Sequence, residues 1–437
     1  MQLQYDVVIL GGGPAGVEAA LLAARAGLHP ALVTDMPLGG RSAWGSLVPS
    51  KVWLEETHKA WVIGQEAFSL ARVREKIKAQ SQRIAQDARM QLDAAGVAVY
   101  AGKGEIASPA EVRISSPEAG DIQLKARYVI AATGSEPVFT PDVKPAPPRI
   151  IAPRLAGAME ALPTRLLMVG GGVTGVEYAS AFAAAGSSVV LLQKGDRLLP
   201  RIDAEVVQAF ERWLMESLGV EIVTNAPVAS LKIEGEEVVA QTPDGVRYRG
   251  SHGFIAAGRK ADTTFWKGAP EQLILTSSGA IQINEFCQSS LPNLYAIGDA
   301  TGAPMTVNQA QMQARVAIQH MVQGSNTTLR LKPLVEAVYT HLPIGQIGDT
   351  TPSEEAYLVY KSFSELLKAQ IEEEVHGLIK IKVDKRSGQI SGAAAFGPHA
   401  IDILGLIQVA IHTGVTWEAL KAYPLPHPTY SELLSKV

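Results

Sequence analysis

The sequence predicts an α/β fold that contains two similar βαβ units and ends in a small α+β region. A segment beginning at Tyr5 (YDVVILGGGPAGVEAALLAARAGLHPALVTD) resembles another beginning at Arg165 (RLLMVGGGVTGVEYASAFAAAGSSVVLLQK). Each comprises an apolar β-branched run, a glycine turn, an alanine-rich helix and a second apolar strand, which indicates a parallel sheet. The length of 437 residues leaves room for about three domains.

The composition excludes several classes of protein. The chain is 47% hydrophobic and 19% charged, as in ordinary globular enzymes. Its formal net charge of −4, without a dense basic run, gives no electrostatic basis for binding nucleic acid or an anionic membrane. The single cysteine, Cys287, excludes an intrachain disulfide and a thiolate metal cluster, so we expect no metal site.

The N-terminal residues give no sign of export. MQLQYDVVIL lacks the charged, apolar and small-residue regions of a signal peptide, so we expect a cytoplasmic protein. The apolar stretch from Val7 to Leu28 is long enough to suggest a membrane span, but it holds five glycines together with Glu18 and Arg25. We therefore interpret it as a strand, a turn and a helix, and expect no membrane span.

Two regions between and after the repeated units have a distinct composition. Residues Val73–Ala95 are polar and lack glycine and proline, which predicts a long exposed helix. The segment VKPAPPRIIAP from Val143 is rich in proline and predicts a hinge between domains. A second break in composition falls at Leu331–Pro333.

The residues after this break predict the α+β region. LIKIKVD from Leu378 and QISGAAAF from Gln389 have the composition of strands, and the apolar segment from His399 predicts a helix that ends near Gly414.

The two glycine turns predict two dinucleotide-binding sites. Both match G-x-G-x-x-G, in which the glycines permit a tight turn, close approach of a pyrophosphate, and close packing of helix on strand. The pyrophosphate then lies at the positively polarised N-terminus of the helix. The glycines are Gly11, Gly13 and Gly16 in the first turn, and Gly170, Gly172 and Gly175 in the second.

Residues after the second strand of each unit bear on ribose recognition, where an acidic side chain normally accepts a hydrogen bond. In the first unit the candidate is Asp35, one position beyond the strand end, where Thr34 falls. In the second unit the position holds Gln193, with Lys194 and Arg197 nearby. Because this position has no carboxylate that would repel a 2′-phosphate, we expect NADPH to be accepted. Lys194 and Arg197 are equally consistent with ordinary surface cations.

At this point the chain resembles the pyridine nucleotide-disulfide oxidoreductases, the family of dihydrolipoamide dehydrogenase, glutathione reductase and mercuric reductase. The resemblance spans nearly the whole chain and keeps the order of the motifs. They are GGGPAG at Gly11, GGRSAWGSLVPSK at Gly39, AATGSEP at Ala131, GGGVTGVE at Gly170, AAGRKADT at Ala256, YAIGDATG at Tyr295 and HPTYSE at His427.

The resemblance implies FAD in the first unit, NADPH or NADH in the second, and a homodimer formed through the last domain. The implied domains are 1–148 for FAD, 149–263 for the nicotinamide nucleotide, 264–330 for FAD again and 331–437 for dimerisation. Further cofactor-binding residues implied by the motifs are Thr133 and Gly134 at the crossover, Gly258, and Asp299, whose carboxylate would accept from a flavin ribityl hydroxyl.

The family also places an ion pair near flavin N5, and Lys51 and Glu177 match its positions. The redox cysteines of GG-x-C-x-x-x-x-C-x-PSK, however, are replaced here by Ser42 and Leu47. A hydroxyl and an isobutyl group cannot exchange thiols, so we expect no disulfide chemistry by this route. Trp44 either offers a planar wall to another acceptor or fills the vacated volume.

The last motif leaves a second question open. His427 and Glu432 match a pair in which, by resemblance, the histidine acts as acid and base across the dimer; a contact role alone is equally compatible with the sequence. We predict an FAD-dependent NAD(P)H oxidoreductase that reduces a non-disulfide acceptor such as a quinone. A soluble nucleotide transhydrogenase and a flavin-bearing sensor with little turnover are the alternatives.

Overall fold

The computed structural model describes residues 3–108, 111–116 and 120–435. The helices are α1 Pro14–Arg25, α2 Gly40–Gly45, α3 Leu47–Ile63, α4 Leu70–Ala94, α5 Val173–Ala184, α6 Ala204–Leu218, α7 Val307–Gln323, α8 Leu367–Ile371, α9 Ala400–Thr413 and α10 Trp417–Ala422. Short 3-10 turns lie between several of these helices and strands.

The strands complete the set of elements. They are β1 Leu3–Leu10, β2 Pro30–Thr34, β3 Ala98–Ala101, β4 Lys103–Ser108, β5 Glu111–Ser116, β6 Gly120–Ala131, β7 Ser135–Pro137, β8 Ile150–Ile151, β9 Arg165–Val169, β10 Ser188–Leu192, β11 Glu221–Val223, β12 Ser230–Glu234, β13 Glu237–Gln241, β14 Arg247–Gly250, β15 His252–Ile255, β16 Arg259–Ala261, β17 Leu294–Ala296, β18 Glu336–Val338, β19 Ile344–Gly348, β20 Ala356–Ser362, β21 Leu378–Asp384 and β22 Ile390–Phe396.

The chain forms two compact units, each built from separate stretches of sequence. Unit 1 comprises Met1–Pro49, Arg74–Val138 and Arg259–Leu331, and unit 2 comprises Ser50–Val73, Phe139–Gly258 and Lys332–Val437. The proline-rich segment from Val143, where we predicted a hinge, lies inside unit 2, and its Ile150–Ile151 pairs with β15 as an edge strand.

Unit 1 contains the first βαβ unit, as predicted. Its main sheet has the order β3-β2-β1-β6-β5-β4, with β17 also paired to β6. β1 runs parallel to β2 and β6, and β2 is buried along its whole length, as expected for a strand covered on both faces. Helix α1 packs against α7 over a core that includes Val7, Ile9 and Ala314.

The second βαβ unit lies in unit 2 and is likewise confirmed. Its parallel sheet has the order β11-β10-β9-β15-β8. α5 connects β9 to β10, and most of its apolar side chains are buried. α6 begins at Asp203, whose carboxylate caps the helix by accepting from the backbone N–H of Glu205 and Val206, and ends at Gly219.

The C-terminal part of unit 2 is the predicted α+β region. An antiparallel sheet has the order β18-β19-β22-β21-β20, and α9 packs on it and ends at Gly414 in a left-handed conformation. Lys380 of β21 is 2% exposed and lies 2.9 Å from Asp203 and 3.2 Å from Glu205. This buried lysine therefore links the sheet to the start of α6.

Two predictions about single segments are also settled. The long polar helix exists as α4, which begins three residues earlier than predicted and is mostly exposed. Residues Val7 to Leu28 form β1, the glycine turn and α1. Within the described part of the chain, no helix combines the length and apolar character needed to cross a bilayer.

Candidate dinucleotide and redox site

The outer glycines of both turns are required by the protein itself. A Cβ on Gly11 would lie 2.2 Å from the carbonyl oxygen of Ala132, and a Cβ on Gly16 would lie 1.9 Å from that of Gly11. In the second turn, Gly170 and Gly175 are confined in the same way by backbone oxygens at 2.4 and 1.8 Å. These four glycines allow the helix to pack closely on the strand before it.

The middle glycines, Gly13 and Gly172, differ from the outer ones. Their φ angles of −76° and −80° suit any residue. A Cβ on either would meet no atom of the described residues within 4 Å. Each is the N-cap of its helix, where the first N–H groups point outward. The open space at both helix N-termini is the shape a pyrophosphate needs.

The end of β2 carries Thr34 rather than an acid. Its hydroxyl donates to the Met36 carbonyl at 2.8 Å, and a Cβ on Gly12 would lie 2.7 Å from that hydroxyl. Asp35 follows and is exposed. Thr34 therefore occupies the position beside the turn, and the ribose role of Asp35 stays a prediction.

Gln193 occupies the matching position in the second turn. Its Oε1 accepts from the Gly171 N–H at 3.0 Å, and its Nε2 donates to the Arg197 carbonyl at 3.1 Å. The guanidinium of Arg197 donates to the backbone carbonyls of Pro200 and Ile202 at 2.6 and 2.7 Å. Arg197 thus stabilises its own loop, whereas Lys194 is exposed beside it.

Lys51 and Glu177 form the predicted ion pair. Lys51 Nζ lies 2.6 Å from Glu177 Oε1, and the side chains are 31% and 4% exposed. The backbone N–H of Tyr339 donates to the same oxygen at 3.0 Å, and Lys51 Nζ lies 4.5 Å above the Tyr339 ring. Sequence reasoning missed Tyr339, because its role depends on a backbone group 162 residues from Glu177.

The positions of the missing cysteine pair fall on the two consecutive helices α2 and α3. Ser42 lies within α2, and Leu47 is the first residue of α3, where its side chain is 40% exposed. Between them, the indole N–H of Trp44 donates to the Leu38 carbonyl at 3.0 Å. This bond fixes the orientation of the indole ring.

Cys287 is a core residue. It is 0% exposed and packs in the apolar core of unit 1 that contains Ile297 and Ala314. Burial raises the pKa of its thiol to about 12. A thiol that is buried and protonated at neutral pH does not take part in exchange.

The crossover motif is held by an arginine that the sequence analysis overlooked. Arg41 donates to the Thr133 carbonyl at 3.1 Å, lies 3.5 Å from Asp262, and forms an ion pair with Glu136. The Thr133 hydroxyl donates to the Asp262 carbonyl at 2.5 Å, and Gly134 accepts from the Asp262 N–H at 2.9 Å. Arg41 lies in the GGRSAWGSLVPSK motif, but its partners Thr133 and Asp262 lie 92 and 221 residues away in the sequence.

Asp299 joins a second set of contacts in unit 1. Its Oδ2 accepts from the Ser135 hydroxyl at 2.5 Å and lies 4.0 Å from Arg259. Arg259 donates to both the hydroxyl and the carbonyl of Ser135, at 2.8 and 2.7 Å. Gly258 precedes it with a φ of +114°, a conformation that favours glycine. The structure thus brings Asp299 close to the crossover motif.

His427 and Glu432 are paired, as predicted. His427 Nδ1 lies 2.8 Å from Glu432 Oε1, and the other carboxylate oxygen accepts from the Thr429 N–H at 2.9 Å. Glu432 is 9% exposed, whereas the imidazole is 58% exposed. The carboxylate therefore orients the ring and leaves its far nitrogen accessible.

Comparisons with known proteins identify the family. Residues 5–314 match the pyridine nucleotide-disulphide oxidoreductase model, and residues 335–437 match the dimerisation domain of the same family. The chain belongs to the pyridine nucleotide-disulphide oxidoreductases. This family uses FAD and NAD(P)H, which are the cofactors the sequence predicted. The open turns at Gly13 and Gly172 fit two such dinucleotides.

Relatives in this family carry different names. The chain is similar to dihydrolipoyl dehydrogenase of Bacillus subtilis, with 29% identity over 100% of this chain and 98% of the relative. It is also similar to NAD(P)H dehydrogenase (quinone) of Mycobacterium tuberculosis, with 28% identity over 97% of this chain and 91% of the relative. The crystal structure of LpdA from Mycobacterium tuberculosis superposes with a TM-score of 0.89 at 27% identity, covering 99% of this chain and 98% of the other.

Proposed function

We propose that this protein is an FAD-dependent NAD(P)H oxidoreductase that passes electrons to a non-disulfide acceptor such as a quinone. The observation that carries the proposal is the absence of a usable thiol. Ser42 and Leu47 stand where the family has its redox cysteines, and the only cysteine in the sequence is buried with a raised pKa. Electrons therefore leave by a route that needs no sulfur.

The groups needed for electron input are present. Gly13 and Gly172 leave room for two pyrophosphates at helix N-termini. When bound, FAD takes two electrons from the nicotinamide and releases them to the acceptor. Lys51 holds its positive charge beside the buried Glu177, which keeps both side chains in place to align the nicotinamide and to stabilise negative charge.

The overall reaction balances without a thiol. NAD(P)H, one proton and a quinone give NAD(P)⁺ and a quinol, so two electrons and two protons reach the two quinone oxygens. His427 is suited to hand over a proton, because Glu432 binds Nδ1 and orients the ring, while the imidazole is 58% exposed. We propose that it does so in a homodimer, where each chain completes the site of its partner.

The choice of nicotinamide nucleotide follows from charge. Gln193 places a neutral amide where a carboxylate would repel a 2′-phosphate. Lys194 is exposed next to it, whereas Arg197 is bound to the carbonyls of its own loop. We therefore propose that NADPH is accepted, and that Lys194 contributes more than Arg197 to binding its 2′-phosphate.

The named relatives support a quinone-type acceptor without deciding it. The Mycobacterium tuberculosis relative is named for quinone reduction, and the Bacillus subtilis relative is named for dihydrolipoyl oxidation. Of these two chemistries, only the first is compatible with Ser42 and Leu47.

Anaerobic stopped-flow mixing with NADPH and with NADH tests the proposal. We expect the flavin to bleach with two-electron stoichiometry and then to reoxidise rapidly when a quinone is added. Rapid turnover of lipoamide or another disulfide would refute the proposal. Bleaching followed by slow reoxidation across quinones and dyes would instead favour a sensor, and fast reduction of thio-NADP by NADH would favour transhydrogenation.

A further inference from the structure

Unit 2 contains a cavity of about 580 Å³ that is lined by planar side chains. The rings of His58 and His341 are stacked, with centroids 5.5 Å apart and planes at 29°. Tyr339 also lines the cavity, and Trp61 packs against His341 at 5.3 Å. The volume falls in the range that holds small organic ligands.

The cavity adjoins the Lys51–Glu177 pair through Tyr339. The backbone N–H of Tyr339 donates to Glu177, and its ring lies below the Lys51 ammonium group. One residue therefore touches both the ion pair and the cavity. A ligand in the cavity would contact the residue that positions this pair.

Three carboxylates line the cavity. The charged side chains that line it in the described part of the chain are Glu372, Glu374 and Asp402. Lys368, which is not a lining residue, pairs with Glu372 at 2.6 Å and offsets part of its charge. Asp402 lies 3.1 Å from Nδ1 of His399, which also lines the cavity. With three lining carboxylates, Glu374 and Asp402 still leave this side of the cavity with a negative potential.

His341 does not balance that charge. It is 9% exposed, its Nδ1 is hydrogen-bonded to the Ser180 hydroxyl at 2.8 Å, and its Nε2 has no hydrogen-bond partner among the described residues. Burial lowers the pKa of His341 to about 4, and the neighbouring His58 contributes to this shift. The ring is therefore neutral at pH 7.

We propose that this cavity binds the electron acceptor, and that the acceptor is a planar, uncharged quinone rather than an anionic one. The stacked imidazoles and Tyr339 provide planar contact surfaces, while Glu374 and Asp402 repel anions. The inference rests on the proposed function, because it locates the acceptor of that same reaction.

The test compares two quinones of similar shape and different charge. Binding of 1,4-naphthoquinone and of 1,4-naphthoquinone-2-sulfonate to the oxidised holoenzyme is measured by calorimetry at low salt, and KM for each is measured with NADPH. We expect the sulfonate to bind about tenfold more weakly and the difference to shrink as salt is added.

The variant Glu374→Gln with Asp402→Asn removes the charge that the proposal invokes. We expect it to reduce the difference between the two quinones to less than about threefold, with flavin reduction by NADPH unchanged. The control, Glu216→Gln with Asp121→Asn, removes two exposed charges that do not line the cavity and should preserve the difference.

The outcomes separate this inference from the proposed function. If both quinones are reduced but the double variant does not change their relative binding, the acceptor site proposed here is wrong and the function stands. If neither quinone is reduced while disulfides are, the proposed function fails. Equal binding of the two quinones to the unchanged protein would also overturn the inference.

Discussion

The Lys51–Glu177 pair gives a prediction whose size follows from the unequal burial of its members. Lys51→Met removes the ammonium group and leaves a carboxylate that is 4% exposed, with the Tyr339 N–H as the other hydrogen-bond donor to its bound oxygen. Breaking a buried pair costs roughly 3–5 kcal/mol. Because Lys51 itself is 31% exposed, we take the lower end, about 3 kcal/mol.

The reverse change should cost less. Glu177→Gln keeps the shape of the side chain and an amide oxygen that still accepts from Tyr339, and it leaves only a lysine that water reaches. We expect a loss of about 1.5 kcal/mol, the lower end of the range for one hydrogen bond to a charged group. The double variant should then be more stable than Lys51→Met alone by about 1–2 kcal/mol, because no charge stays buried.

Urea unfolding of the holoproteins measures these differences, and stopped-flow flavin reduction measures the effect on function. Both single variants should slow flavin reduction by about tenfold to a hundredfold. The pair Arg89–Asp93, at 2.9 Å and about half exposed, is the control, and Arg89→Met should cost less than about 1 kcal/mol. Equal destabilisation by Lys51→Met and Glu177→Gln would refute the reasoning from burial.

Three further predictions follow from the site. Gly172→Ala meets no described atom within 4 Å and should keep the melting temperature while raising the KM for NADPH at least about tenfold; Gly175→Ala, whose Cβ would lie 1.8 Å from a carbonyl oxygen, should unfold instead. An unchanged KM in Gly172→Ala would contradict the assigned pyrophosphate site. His427→Ala should slow quinone reduction about a hundredfold while leaving flavin reduction by NADPH intact, and equal effects on both half-reactions would reduce the pair to a structural contact. Because burial lowers the pKa of His341 to about 4, the unfolded chain binds a proton that the folded one does not, so stability should fall as pH drops from about 6.5 towards 4. His341→Gln should flatten this part of the stability profile, as followed by urea unfolding, and an unchanged slope would contradict the assignment.

The repeated units could be predicted because their signals are local. The glycine turn, the helix and the flanking strands lie within about thirty residues of each other, as in any βαβ unit, and the predicted parallel pairing of β1 with β2 and of β9 with β10 was correct. The ion pairs Lys51–Glu177 and His427–Glu432 were predicted from resemblance to a family, and their geometry agrees.

The contacts that were missed join residues far apart in sequence. Arg41 meets Asp262 across 221 residues, and the His58–His341 stack joins a helix to the loop before β19. No hydrophobic periodicity or sequence motif indicates such pairs, because they depend on where the loops lie in the folded chain. The local bonds of Arg197 were missed for a different reason: the sequence does not indicate whether a guanidinium faces a ligand or its own backbone.

The retained groups carry costs that the fold alone does not explain. Gly13 and Gly172 occupy N-cap positions where Ser or Asp would bond to the free N–H groups, and neither φ nor steric contact with the described residues requires glycine there. Glu177 keeps a charge in a buried position, where an apolar residue of similar volume is often as stable. Under the proposed function, both features serve to bind nucleotides rather than to stabilise the chain. A protein that had kept only the scaffold of its family would have no need of them, so their presence beside Ser42 and Leu47 argues that electron input continues and that the sulfur-dependent output has been replaced.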